Sequence, residues 1–210
     1  MEPERSALDY FPDEIDLPSL KVAAKSCRGC DLYRLGGPAV FGEGPPNANV
    51  VFVGEVPGDQ EDRQDRVFVG PAGQLLNRAL GEVGIDRQKV YLTNTVKHFK
   101  WKRDPRGGKR RLHERPKAGE IRACTPWLAA EIDIIEPEII VCLGATAAQA
   151  LVGTDFKVTE MRGKWLYSEI GPKLLATVHP SSILRADPEE KEDEYRRFVA
   201  DLALVACEMH

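Results

Sequence analysis

The chain has 210 residues, 42% of them hydrophobic and 30% charged, and a net charge of −4. That is the composition of a soluble globular protein, with length for a single domain over 1–210 and too little for two. No apolar run approaches the ~20 residues that span a bilayer, and the charged opening MEPERSALDYFPDEID lacks the apolar core of a signal peptide, so a cytoplasmic protein without membrane contact is expected.

Residues 1–20, rich in proline and acids, read as a loosely packed lead-in. Next comes SCRGC, where Cys27 and Cys30 have the C-x2-C spacing that lets one tight turn present two thiolates to a metal centre. Five cysteines in a cytosolic chain do not suggest a disulfide framework. Cys124 and Cys142 could complete a set of four, leaving Cys207 over. Four thiolates suit zinc or an iron–sulfur cluster, and spacing does not choose between them. In the other reading Cys142, inside an apolar run, is a core residue and three ligands remain.

NVVFVGE (49–55) is a short apolar run ending in glycine and reads as a buried strand. PGDQEDRQDRVFVGPAG reads as a long functional loop. GQLLNRALGEVG has helical spacing and stops at Gly84. VYLTNTVK is a second strand, followed by a basic loop. TPWLAAEIDIIEP reads as a helix with Pro126 early in it and Pro137 as its stop. EIIVCLGATAAQALVG reads as strand, turn and helix, KLLATVHPSS as strand and loop, and Pro188 to about Ala206 as a closing helix. Strands alternating with helices predict an α/β protein whose mostly parallel sheet is covered on both faces. Ligands of such sheets gather at the carboxyl ends of the strands, where Glu55, Asn94 and His179 fall.

Between Lys97 and Lys117 ten Lys or Arg stand against only Asp104 and Glu114, a local +8, so the remainder carries −12. A basic run alone reads as a solvated loop. Segregation on this scale also focuses a field on an anionic partner.

The pieces GEVPGDQED, VFVGPAGQLLN, YLTNTVK and HPSSILR, in this order, resemble the motifs of family 4 uracil-DNA glycosylases. The GDQED ending and GGKRRLH resemble the UdgX branch of that family. The likeness runs from about Cys27 to Arg185. It implies a three-layer α/β/α fold around a central, mostly parallel sheet, and a [4Fe-4S] cluster on Cys27, Cys30, Cys124 and Cys142. Its implied partner is uracil-containing DNA, single-stranded by preference, with uracil released and the protein acting as a monomer. The UdgX branch bonds covalently to the deoxyribose after uracil leaves. Its members read GEQPG, and this chain departs from them at Val56, which puts the efficiency of capture in question.

The resemblance also implies roles. Breaking the N-glycosidic bond builds positive charge on the sugar and negative charge on the uracil, and each needs a partner. Glu55 would stabilise the sugar, and His179 would donate to uracil O2. Asn94 would bond uracil N3–H and O4, a pattern that cytosine reverses. Phe68 would stack on the flipped base, with Gly54, Val56, Asp59, Gln60 and Ser181 around the substrate. Lys109, Arg110, Arg111, Ser182 and Arg185 would hold DNA phosphates. Gly107 and Gly108 would permit the turn that brings His113 to C1′ as nucleophile. Two alternatives stand beside this one: a conventional glycosylase that turns over with water, and an inactive iron–sulfur module that binds nucleic acid.

Overall fold

The computed structural model describes residues 5–166 and 171–209. Among these, the strands are β1 Val50–Gly54, β2 Tyr91–Asn94, β3 Trp101–Arg103, β4 Arg111–His113, β5 Ile139–Leu143, β6 Trp165–Leu166 and β7 Lys173–Thr177. The helices are α1 Leu17–Ala24, α2 Asp59–Gln64, α3 Pro71–Glu82, α4 Ala118–Ile135, α5 Ala145–Val152, α6 Val158–Met161, α7 Pro180–Arg185 and α8 Pro188–Glu208. The main sheet has the order β2-β1-β5-β7-β6. All its pairings are parallel except β6 with β7.

Both faces of the sheet are covered, which is why its strands read as continuous apolar runs. Along β1, Val50 and Phe52 pack with Leu76 and Leu80 of α3 and with Phe198 and Leu202 of α8. Val51 and Val53 alternate to the other face and pack with Leu128 of α4 and Ala147 of α5. Each such side chain contributes about 1.5–3 kcal/mol when fully buried. The result is the expected three-layer α/β/α arrangement.

Four local expectations change. The described part of the lead-in is not loosely packed: Ala7 and Leu20 are buried beside Trp127. Phe11 stacks on that indole with ring centroids 4.5 Å apart. A few apolar residues among many acids suffice here, because Trp127 offers a large surface to cover. The segment after β1 is not all loop, since α2 forms with Asp59, Glu61 and Asp62 in its first turn, where the helix dipole favours acids. Helix α4 starts earlier than expected and runs through Pro126. The Glu120 carboxylate accepts the Lys117 N–H at 2.6 Å and sets the start. Finally, HPSS opens a helix, with His179 as the cap and Pro180 at the first position.

The basic segment is also ordered. β3 and β4 form an antiparallel ribbon that pairs Trp101 with His113 and Arg103 with Arg111. Gly107 and Gly108 adopt φ of +90° and +96° in the connection, which glycine accepts without steric cost.

Candidate active site

The parallel strands deliver their carboxyl ends to one edge of the sheet, and the site lies there. Glu55 follows β1 directly. Asn94 ends β2 and is paired in register with Gly54. Thr146 lies in the first turn of α5, just beyond β5, and His179 lies two residues beyond β7.

Gly54 lets two side chains approach its backbone closely. A Cβ there would collide with Asn94 Oδ1 and sit 2.8 Å from Phe68 Cζ, so the amide and the ring converge on this glycine. Phe68 is buried and held at φ +52°, a left-handed backbone that costs a bulky residue energy and recurs at functional sites. Glu61 secures the turn that follows, accepting the Gly70 N–H at 2.8 Å.

Glu55 divides its carboxylate between two neighbours. The Thr146 hydroxyl donates to Oε2, and His113 Nε2 stands 3.5 Å from Oε1. The His113 ring lies over Phe99, 28° from parallel, with centroids 6.4 Å apart. Burial lowers the His113 pKa below its ordinary value against the pull of Glu55, and Arg185 and Arg115 add to the lowering. The imidazole is therefore neutral, with a free lone pair, at neutral pH.

His179 is held in one tautomer. Its Nδ1 accepts the Ser181 N–H at 3.2 Å and lies 2.7 Å from Ser181 Oγ, so the ring proton is on Nε2, which is left as a donor. Burial, then the neighbouring His113 and Arg185, lower its pKa to about 4. His113 thus stands close enough to His179 to lower its pKa, and itself faces Glu55. A Cβ on Gly144 would sit 3.0 Å from that of His179, so the turn after β5 also needs glycine.

The basic ribbon divides. Lys109 and Arg110 are exposed. Arg111 is not available to phosphate as expected. Its guanidinium bonds Asp59 and reaches Asp62 at 2.5 Å, with the Phe99 and Trp101 rings 5.1 and 5.6 Å away. Two acids and two aromatic faces outcompete water for this one cation. Burial alone would raise the Asp59 carboxyl, but Arg63 and Arg111 hold it below its usual range. Asp59 thus anchors the ribbon. Gln60 is exposed on α2, and Ser182 and Arg185 are exposed on α7. Ser182 Oγ donates to the His179 carbonyl at 2.8 Å. Val56 packs in the apolar group around Trp127, so a Gln there would have to bury its amide or displace that packing.

Cys27, Cys30 and Cys124 gather in that same group. Cys142 does not join them. It packs on the α4–α5 face of the sheet with Val51 and Ala147, and burial alone pushes its thiol up to about 12. This separates Cys142 from the other three of the four cysteines expected together, because β5 aims it into an apolar layer. His98, which the sequence did not single out, lines a cleft of about 320 Å³ together with Cys27 and Arg28. Among the described residues no group of three or more His, Cys, Asp or Glu is spaced to hold a single metal ion.

Thr146 was also missed, although the rule that drew attention to Glu55 and His179 applies equally to the end of β5. Asp62 was overlooked because nothing in GDQED separates an anchor from a solvated acid.

Among the described residues no helix is long and apolar enough to cross a membrane. Residues 41–203 match the family model described as the uracil DNA glycosylase superfamily. The chain is similar to the type-4 uracil-DNA glycosylase of Thermotoga maritima, 40% identical over 178 residues that cover 84% of this chain and 85% of the relative. The type-4 enzyme of Sulfurisphaera tokodaii is 39% identical over 176 residues, covering 80% and 76%. That of Pyrobaculum aerophilum is 36% identical over 178 residues, covering 81% and 86%. A sheet edge carrying Glu55, Asn94 and His179, within a match of this length and identity, places the chain in the uracil-DNA glycosylase superfamily, in its type-4 family.

Proposed function

We propose that the protein excises uracil from DNA and then remains bonded, through His113, to C1′ of the resulting abasic site. The observation that carries the covalent step is the approach of His113 Nε2 to Glu55 Oε1 at 3.5 Å, on a ribbon that Arg111 locks to α2.

The flipped base enters between Phe68 and Asn94, and a single strand is the easier substrate because its bases have no partner to give up. Lys109 and Arg110, with Ser182 and Arg185, meet the phosphates. As the C1′–N1 bond breaks, its electron pair leaves with uracil, and the charge on O2 is met by the Nε2–H of His179. Glu55 lies against the cationic sugar. An imidazole nitrogen of His113 then gives its lone pair to C1′, and the proton on the other ring nitrogen is lost, with one proton taken up by the uracil anion. Nitrogen bonded to C1′ has no good hydrolytic exit, so one turnover ends the reaction.

A [4Fe-4S] cluster fits the thiols of Cys27, Cys30 and Cys124, with the His98 imidazole as fourth donor. Its contribution is structural, pinning the N-terminal segment to α4.

The test is incubation with uracil-containing single strands, followed by boiling in detergent and a denaturing gel. A persistent shifted band, with the peptide bearing His113 modified in the mass spectrum and the band lost in His113→Ala, is the expected result. Abasic DNA without a shift favours turnover with water. Intact DNA favours the binding module.

A further inference from the structure

A buried ion pair stands directly behind Asn94. The side chains of Lys97 and Glu131 are both 0% exposed, with Nζ 2.5 Å from Oε2. Apart from one bond to Gly42, the remaining hydrogen bonds of the pair go to the stretch of chain that ends in Asn94. Lys97 Nζ also donates to Thr93 Oγ1 at 2.7 Å and to the Asn94 carbonyl at 2.8 Å. The Thr93 hydroxyl donates to Glu131 Oε2 at 2.8 Å. Glu131 Oε1 accepts the Tyr91 hydroxyl at 2.9 Å and the Gly42 N–H at 3.0 Å. Tyr91, Thr93 and Asn94, three of the four residues of β2, therefore all bond to one pair.

Stability alone does not account for it. Two charges in an apolar interior lose more hydration than their attraction commonly returns, and an apolar pair of similar volume often serves the fold as well. What the ammonium and the carboxylate supply is direction. An amide side chain distinguishes a donor–acceptor edge from its reverse only while it cannot turn over. Asn94 is the last residue of β2, and its peptide is held from both sides: the Thr95 N–H donates to the Gly54 carbonyl at 2.9 Å, and the Asn94 carbonyl accepts from Lys97 Nζ, so the pair completes the hold on the residue that carries the amide.

We propose that Lys97 and Glu131 are positioning residues, holding the end of β2 so that the Asn94 amide presents a fixed edge to the base. This rests on the reading of Asn94 as the base-contacting amide. The two sites are then energetically coupled: once the pair is disturbed, Asn94 has little left to contribute.

A double-mutant cycle tests this with single-turnover excision rates on uracil-containing single strands. The variants are Lys97→Met and Glu131→Gln, each alone and combined with Asn94→Ala. Affinity for abasic-site DNA, which offers no base to Asn94, serves as the control. We expect Asn94→Ala to slow the parent protein about a hundredfold but each pair variant by less than about tenfold, with abasic-DNA affinity nearly unchanged. Additive losses would show that the pair supports the fold alone and overturn the inference. An Asn94→Ala protein as fast as its parent would instead overturn the reading of Asn94. If Lys97→Met does not fold, Glu131→Gln, which keeps the shape and half the bonding capacity, decides by the same criterion. If that also fails to fold, Thr93→Val, which removes only one bridge to the pair, takes its place.

Discussion

His179 illustrates how burial selects a chemical form. Its pKa of about 4, set by burial and then by His113 and Arg185, lies below the ordinary 6.5 of an unfolded histidine. Between those values the unfolded chain binds the proton that the folded chain refuses, so stability falls as pH drops from 6.5 towards 4, by on the order of 3 kcal/mol. Urea unfolding at pH 7 and pH 5 measures this. His179→Gln should show a smaller loss on acidification than the parent, and an identical loss would remove His179 as its source. Thr146 can be examined by activity. Valine keeps its shape but offers Glu55 no hydroxyl, and about a tenfold slower capture is expected. Thr146→Ser should recover most of that, and equal rates for all three proteins would mean that the bond to Glu55 does not orient it.

At the scale of elements, the ribbon of β3 and β4 is one lever with two ends. Arg111, paired with Arg103 beside the turn, fastens that end to Asp59 and Asp62, the pair of Trp101 and His113 forms the other end, and Lys109 and Arg110 extend from the turn itself. Arg111→Ala should therefore slow adduct formation more than tenfold, while uracil release, followed by chromatography of the free base, persists. Changing Lys109 or Arg110 to Ala should leave the adduct intact and reduce the salt slope of DNA binding by about one each. KRR gives no hint of this division, because three consecutive cations look alike until the strand register turns one of them inward. The strands around the site were legible for the opposite reason: apolar runs such as VVFVG and EIIVCLG carry their burial in their composition. Helix α2 was hidden because six polar residues show no periodicity. The start of α4 is hidden because a proline in the first turns of an apolar periodic run reads as its opening, whereas the helix runs through Pro126.

For the molecule as a whole, the distribution of cysteines over two cores yields a colour test. The purified protein should be brown, with broad absorption around ~400 nm from thiolate-to-iron charge transfer. Cys142→Ala should keep that colour, and Cys124→Ala should lose it. Bleaching by Cys142→Ala would restore the four-cysteine set. The C-x2-C pair was readable because its spacing is local. The third thiol and His98 come from distant parts of the chain, and only the folded arrangement separates Cys124 from Cys142.

The sheet order has one further consequence. Glu55, Thr146 and His179 come from far-apart stretches of the sequence and are brought to one edge only when β1, β5 and β7 have paired, and His113 joins Glu55 from the separate ribbon of β3 and β4. Contacts so distant along the chain close late, because loop entropy opposes them until much else has formed. A nascent or partly unfolded chain carries His113 but not its surroundings. On the proposed covalent reading the topology acts as a safeguard: no DNA is modified before the last long-range strands are in place.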